Sequence, residues 1–185
     1  MNEHERWIYS TCPSPFGDLF LTSDGDALTG LDLPQHDDRP AYGPEPGWLR
    51  DDAAFREVRN QLRAYFEGEL IEFEIPLRLE GTDFQLRVWR ELMNIPYGTT
   101  ISYAEQARRI GRPGAARAVG AANGRNPIAI VVPCHRVIGA NGTLTGYGGG
   151  LDRKQWLLDH ETIRIGDEKK RHSAKAQVAT CLAME

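Results

Sequence analysis

Nothing in this chain of 185 residues is apolar for long enough to cross a membrane. Its hydrophobic residues, 41% of the total, are interrupted by charged and polar ones well short of the roughly 20 in a row that a spanning helix needs. The N-terminus, Met1-Asn2-Glu3-His4-Glu5-Arg6, also lacks the basic-then-apolar pattern of a secretory signal. Cysteine is scarce: Cys12, Cys134 and Cys181 lie far apart, and offer neither pairs for a disulfide framework nor the close spacing of a metal-ligand set. His4, His36 and Cys12 are too few and too irregularly spaced to suggest a structural zinc in the first half. These absences predict a soluble cytoplasmic protein with reduced thiols, no bound metal and no membrane partner.

Positive charge is scarce as well, but only in the first half. Residues 1 to 84 hold 7 Lys and Arg against 18 Asp and Glu, residues 85 to 154 hold 10 against 3, and residues 155 to 185 hold 5 against 5. The formal net charge of −4 therefore hides a basic segment next to an acidic one. Such asymmetry fits a polyanion held by the basic segment with the acidic half facing away, or an ordinary uneven surface; charge alone does not separate the two.

The length suits one large domain or two small ones. Residues 7–10, 18–23 and 28–33 have β character and are separated by the turn signals Ser14-Pro15-Phe16-Gly17 and Ser23-Asp24-Gly25-Asp26, which predicts an antiparallel meander. Four prolines between 34 and 47 read as a mobile loop. Asp51 or Asp52 is the expected cap of a helix through Phe66, with Phe55, Val58, Leu62, Tyr65 and Phe66 on one stripe and Gly68 past its end. Residues 73–79 follow as a strand or extended connector. The expectation is a small α/β domain over residues 1–80 in which nothing reads as a site.

Two capping boxes, Thr82 with Gln85 and Ser102 with Glu105, mark helix starts in the second half. The first helix should run to about Met93 before Pro96, and the second over 103–110. Arg112-Pro113-Gly114 makes a turn and a third helix runs over 115–123, a helix-turn-helix arrangement. Residues 81–165 form the expected second domain, with an Asn141-Gly142 turn as a candidate wing and residues 166–185 as a loose tail. The third helix is rich in small residues, with Ala116, Gly120 and Ala121 among them, and few of its side chains, Arg117 first, have any reach. A major-groove reader wants several long polar side chains. Close approach to a minor groove and tight helix packing are both consistent with this composition.

The stretch Asn126-Pro127-Ile128-Ala129-Ile130-Val131-Val132-Pro133-Cys134-His135-Arg136-Val137-Ile138 carries the chemistry. Its β-branched run predicts a short buried strand that ends at Pro133 and delivers a thiol to a rim. A thiol is a weak nucleophile at neutral pH unless a neighbouring imidazole or positive charge assists it. His135 can serve Cys134 only if the chain bends after Pro133, because adjacent strand residues point to opposite faces. Downstream, Tyr147-Gly148-Gly149-Gly150 lets backbone amides approach a ligand closely, and a helix over 151–161 ends on the carboxylate of Glu161.

From about Gly81 to Glu161 the chain resembles the O6-alkylguanine-DNA alkyltransferases, also called methylated-DNA–protein-cysteine methyltransferases. The resemblance runs through Gly-Thr-Asp-Phe-Gln, Ile-Pro-Tyr-Gly-Thr-Thr, Ala-Ala-Arg-Ala-Val-Gly, Asn-Pro, Pro-Cys-His-Arg-Val-Ile and Gly-Tyr-Gly-Gly-Gly in order. It implies an α/β fold with a ribonuclease H-like first domain and a winged helix-turn-helix-like second domain. The implied reaction is irreversible, single-turnover transfer of an alkyl group from O6 of guanine to Cys134, without a cofactor, with O4 of thymine as a second candidate donor. The implied partner is double-stranded DNA containing O6-alkylguanine, bound by a monomer, with cooperative packing along DNA left open. Carried over by position, Cys134 is the nucleophile, His135 the general base acting through a water, Glu161 its orienter and Asn126 the residue that holds the turn. Tyr103, Tyr147, Gly148 and Val137 meet the extruded base, whereas Arg117, Ala116, Gly120 and Ala121 meet the minor groove. Two other classes compete: a lesion-sensing module without chemistry, against which Cys134 argues, and a cysteine hydrolase, which would leave the helix-turn-helix and Arg117 without a purpose.

Overall fold

A computed structural model of the chain describes residues 7–34 and 43–163. Most of the proline-rich loop, His4 and His36, and the tail from 166 with Cys181 lie outside the described residues, and so do the expectations that concern them.

Strands β1 (Ile8–Cys12), β2 (Leu19–Ser23) and β3 (Leu28–Asp32) form the expected antiparallel meander, and a two-residue strand β4 (Leu49–Arg50) adds to β1 in parallel, giving the order β3-β2-β1-β4. The register Ser10↔Leu21 and Cys12↔Leu19 places these four residues on one face, where they are buried under helix α1 (Arg56–Glu67). Val58, Leu62 and Tyr65 are the buried stripe of α1, a spacing of four and three residues that keeps one helical face inward.

The helix starts later than its sequence predicts. Asp51 accepts from the backbone N–H groups of Ala53 and Ala54 at 3.1 and 3.0 Å, so it caps a preceding turn, and α1 begins at Arg56 with Phe55 as the flanking residue. Its other end is as expected, with Gly68 left-handed at φ 73°, a conformation that glycine adopts without the Cβ penalty. Residues 73–79 are an extended connector with a single bridge, Leu77 to Leu28.

In the second half, α2 (Asp83–Leu92) opens on a complete capping box: Thr82 accepts from the Gln85 N–H and the Gln85 side chain from the Thr82 N–H. α3 (Tyr103–Arg109) has half of one. Ser102 accepts from the Glu105 N–H at 3.0 Å, but the Glu105 carboxylate turns to Arg108 and Arg109 at 2.7 and 2.8 Å, since a charged partner outcompetes a backbone amide. α4 (Ala116–Asn123) follows the turn at Gly111 and Gly114, both at positive φ. A buried amide pair, Asn123 donating to Gln106 at 2.8 Å, fastens α4 to α3, and Trp89 donates to the Ala122 carbonyl at 2.9 Å to tie α2 to α4.

Two expectations fail locally. Residues 126–132 are not a strand: apart from one bridge, Ile128 to Leu31, they form a turn over 129–131 flanked by bends, with Ile130 at φ 70°. No strand returns from the Asn141-Gly142 turn either; among the described residues, β6 (Val137–Ile138) pairs in parallel with β5 (Ile101–Ser102). The last helix, α5, occupies 151–163 and so continues past Glu161. The core is continuous across both halves, since β3 grips the 126–132 loop through Leu31 N to Pro127 O and Ala129 N to Leu31 O, at 2.9 and 3.0 Å.

Candidate active site

The loop before the thiol is shaped by one side chain. Asn126 donates to the Val132 carbonyl at 2.7 Å and accepts from the Ile128 N–H at 3.1 Å, doing for the backbone what a neighbouring strand would have done. The same amide donates to the Cys134 sulfur at 3.3 Å. Directly after Pro133 the chain winds into a 3-10 turn, Cys134–Arg136, which supplies the bend that an extended chain could not. Cys134, His135 and Arg136 are all buried there.

Glu161 is fully buried, not a solvated helix end. Its Oε1 lies 2.8 Å from His135 Nε2 and accepts from Tyr65 at 2.9 Å. Its Oε2 accepts from Arg136 Nε and from the Gly98 N–H, each at 2.9 Å. Burial pushes this carboxyl up, but His135 and Arg136 outweigh burial and hold it far below the usual carboxylate range. An ionised Glu161 makes Nε2 the protonated nitrogen of a neutral imidazole. His135 Nδ1 is buried without a protein partner and carries the lone pair. Burial also holds the imidazole neutral by lowering its pKa.

Burial raises the Cys134 pKa, with Asn126 and the charge of Lys154 opposing it. The resting thiol is therefore protonated and needs a base. Lys154 was missed by sequence reasoning, because Asp152-Arg153-Lys154 looks like a solvated face of α5. It is fully buried, and its ammonium donates to the carbonyls of Val137 and Thr145 at 2.6 and 2.9 Å and to the Tyr103 hydroxyl at 3.5 Å. Burial lowers its pKa to about 8, with Cys134 pulling the other way. Tyr65 and Arg136 were missed as well: Tyr65 reads as core, and Arg136 as one more basic residue of the polyanion-facing segment.

Tyr103 donates to the Thr145 carbonyl at 2.9 Å, and burial raises its pKa. Tyr147 is buried with its hydroxyl unpartnered, Val137 is buried in β6, and Gly148 is exposed beside Tyr147. Burial raises the Tyr147 pKa far above its ordinary value, and a thiolate at Cys134 would raise both tyrosines further. On α4, Arg117 and Ala121 are exposed while Ala116 and Gly120 are half-buried, and a Cβ on Gly120 would stand 3.7 Å from the Tyr103 ring. The helix thus presents a nearly bare surface with Arg117 on it, backed by Tyr103. Among the described residues no group of three or more His, Cys, Asp or Glu is placed to hold a metal ion, and no helix is long and apolar enough to cross a membrane.

The chain matches two family models: the DNA binding domain of 6-O-methylguanine DNA methyltransferase over residues 83–163, and the ribonuclease-like domain of 6-O-methylguanine DNA methyltransferase over residues 7–79. It is 56% identical over 156 residues to the methylated-DNA–protein-cysteine methyltransferase of Mycobacterium tuberculosis, covering 84% of this chain and 93% of that one. The protein of the same name from Mycobacterium leprae is 57% identical over 152 residues, covering 82% and 90%. The crystal structure of Mycobacterium tuberculosis OGT in complex with DNA superposes with a TM-score of 0.78 at 55% identity, covering 85% of this chain and 94% of that one.

Proposed function

The chain belongs to the methylated-DNA–protein-cysteine methyltransferase family of DNA-repair proteins, and from that premise we propose how its own residues move an alkyl group from O6 of guanine in double-stranded DNA to Cys134. The observation that carries the assignment is the buried series Asn126 to Cys134 at 3.3 Å and His135 to Glu161 at 2.8 Å, which is a nucleophile, a base and an orienter.

Glu161 fixes the imidazole with its proton on Nε2, and Nδ1, which has no protein partner, takes the proton of the Cys134 thiol through a bridging water. The sulfur then attacks the alkyl carbon, the carbon–O6 bond breaks, and its electron pair passes into the guanine ring. The Tyr103 hydroxyl delivers a proton to a ring nitrogen of that leaving group. Lys154, at 3.5 Å from the Tyr103 oxygen and with a pKa of about 8, stabilises or reprotonates the phenolate. It also stabilises the developing thiolate, because burial has removed the water that would otherwise screen its charge. Tyr147, Gly148 and Val137 line the place of the base.

The base must leave the duplex first. The bare face of α4, with Ala116, Gly120 and Ala121, suits close approach to the minor groove, and Arg117 takes the vacated position in the stack. No cofactor enters, because the damaged base brings its own alkyl group. The thioether has no hydrolytic exit, so each molecule acts once, and O4-alkylthymine is a second candidate donor. We assign the reaction to residues 81–165, with residues 1–80 as support. The reducing cytoplasm suits a nucleophilic thiol.

The test is intact-mass analysis after mixing the protein with a duplex bearing one O6-methylguanine. One added methyl group localised to Cys134, with demethylated DNA reaching a plateau at one equivalent, is expected. Continued turnover without an added thiol would refute the scheme.

A further inference from the structure

Residues 1–84 hold only seven basic side chains, yet three of them meet in one place. Arg56, Arg59 and Arg63 follow one another at helical spacing along a face of α1, away from its buried stripe. With Asn60 they form one wall of a cavity of about 550 Å³, completed by Cys12, Pro13, Asp52 and Ala53. None of these residues belongs to the Cys134 site. The one carboxylate in the cavity is already engaged: Asp52 accepts from Ser10 at 2.7 Å and from Arg50 at 3.0 Å. Arg63 donates to Asn60 at 3.3 Å and Arg59 lies against the Cys12 thiol. Among the described residues none of the three arginines forms a salt bridge, and Asp52 feels the charge of Arg59 only as a minor influence beside Ser10 and Arg50.

Three guanidinium groups at such spacing repel one another unless an anion lies among them, and their planar forks match phosphate or carboxylate oxygens. The row runs about 10 Å along the helix, longer than a single carboxylate and suited to linked phosphoryl groups. The volume falls in the range of small-molecule sites. A long polyanion is disfavoured by the surroundings: with 18 acidic residues in this half of the chain, a duplex passing over it meets repulsion, whereas a small anion is drawn into a local positive focus. We propose that this cavity binds a small molecule carrying two or more linked phosphoryl groups, held by Arg56, Arg59 and Arg63, with any organic portion against Pro13 and Ala53.

Isothermal titration calorimetry of the full chain with inorganic phosphate, pyrophosphate and ADP tests this. Pyrophosphate should bind at one equivalent, about tenfold or more tighter than inorganic phosphate. Tighter binding of ADP than of pyrophosphate identifies a nucleotide as the source, and equal binding identifies free polyphosphate. Arg59→Ala with Arg63→Ala should weaken pyrophosphate by about tenfold or more. Ala53→Trp should do the same, since it fills the cavity while keeping every arginine. Methyl transfer to Cys134 should be unchanged in both variants. Absence of saturable binding by pyrophosphate and ADP, or binding indifferent to both variants, overturns the proposal. So does a loss of affinity for undamaged duplex in the double variant, which would make the arginines a DNA contact.

Discussion

Glu161 gathers five donors from four residues in three parts of the chain, Tyr65, Gly98, His135 and two nitrogens of Arg136, so its charge should matter to both fold and chemistry. Glu161→Gln keeps the shape but leaves the Arg136 cation without a counter-charge in a buried place, a loss of about 3–5 kcal/mol. It also releases the imidazole from its fixed tautomer, which should slow transfer by about a hundredfold or more. Chemical denaturation and single-turnover rates check the two effects separately; a destabilised variant with a normal rate would leave Glu161 a structural role alone. Asp32 gives a pH test. Burial alone raises its pKa from 3.8 to about 6, so between those values the folded chain holds a proton that the unfolded chain has lost. Stability must then fall as pH rises through that window and stay lowered above it. Asp32→Asn should flatten this decline and raise stability at pH 7 by about 2–3 kcal/mol, seen in urea unfolding between pH 4 and pH 7. Parallel wild-type and variant curves would rule the shift out. Of the residues around Glu161, His135 and Cys134 were legible in the sequence because they sit in one short motif. Tyr65 and Lys154 were not, because a stripe tyrosine and a lysine beside Asp152 and Arg153 look ordinary until distant loops close over them.

Elements were legible where their determinants are local. The Thr82 capping box and the Gly68 terminus are readable from a few adjacent residues, and both form. The 126–132 segment was misread because β-branched residues signal burial as readily as extension. Asn126 replaces the ladder there, and the chain accepts a strained Ile130 to place Ile128, Ile130 and Val132 in the core. The small-residue composition of α4 was equally two-sided: the structure shows the packing side, with Val119 and Ala122 buried, and leaves Arg117, Ala118 and Ala121 facing out. If Arg117 holds the place of the extruded base, Arg117→Ala should slow transfer on duplex by about tenfold or more relative to transfer from the free modified base, since only the duplex must be held open. Single-turnover rates at saturating protein on both substrates give the ratio. Equal losses on both would assign Arg117 to support of the pocket.

At the scale of the whole molecule, the basic segment and the acidic half divide the labour that the net charge of −4 conceals. The two halves share a core through β3 and through the Tyr65 to Glu161 bond, so the acidic half packs against the half that carries α3 and α4. Many of the segment's basic groups are committed internally: Arg136 and Lys154 are buried, and Arg108 and Arg109 are paired with Glu105. Arg87 and Arg90 are exposed on α2, and Arg112, Arg117 and Arg125 form a second exposed group from the α3–α4 turn to just past the end of α4, the group carried by the helix-turn-helix. Each phosphate that a residue of this second group neutralises releases counterions, so a plot of log affinity against log salt should fall with a slope of about −3. Arg112→Ala or Arg125→Ala should each reduce the slope by about one, whereas Glu69→Gln in the acidic half should leave it unchanged. Fluorescence anisotropy with an undamaged duplex over a range of potassium chloride measures all four slopes. A wild-type slope near zero would remove the electrostatic assignment of this face, and a slope altered by Glu69→Gln would place the acidic half within reach of the DNA.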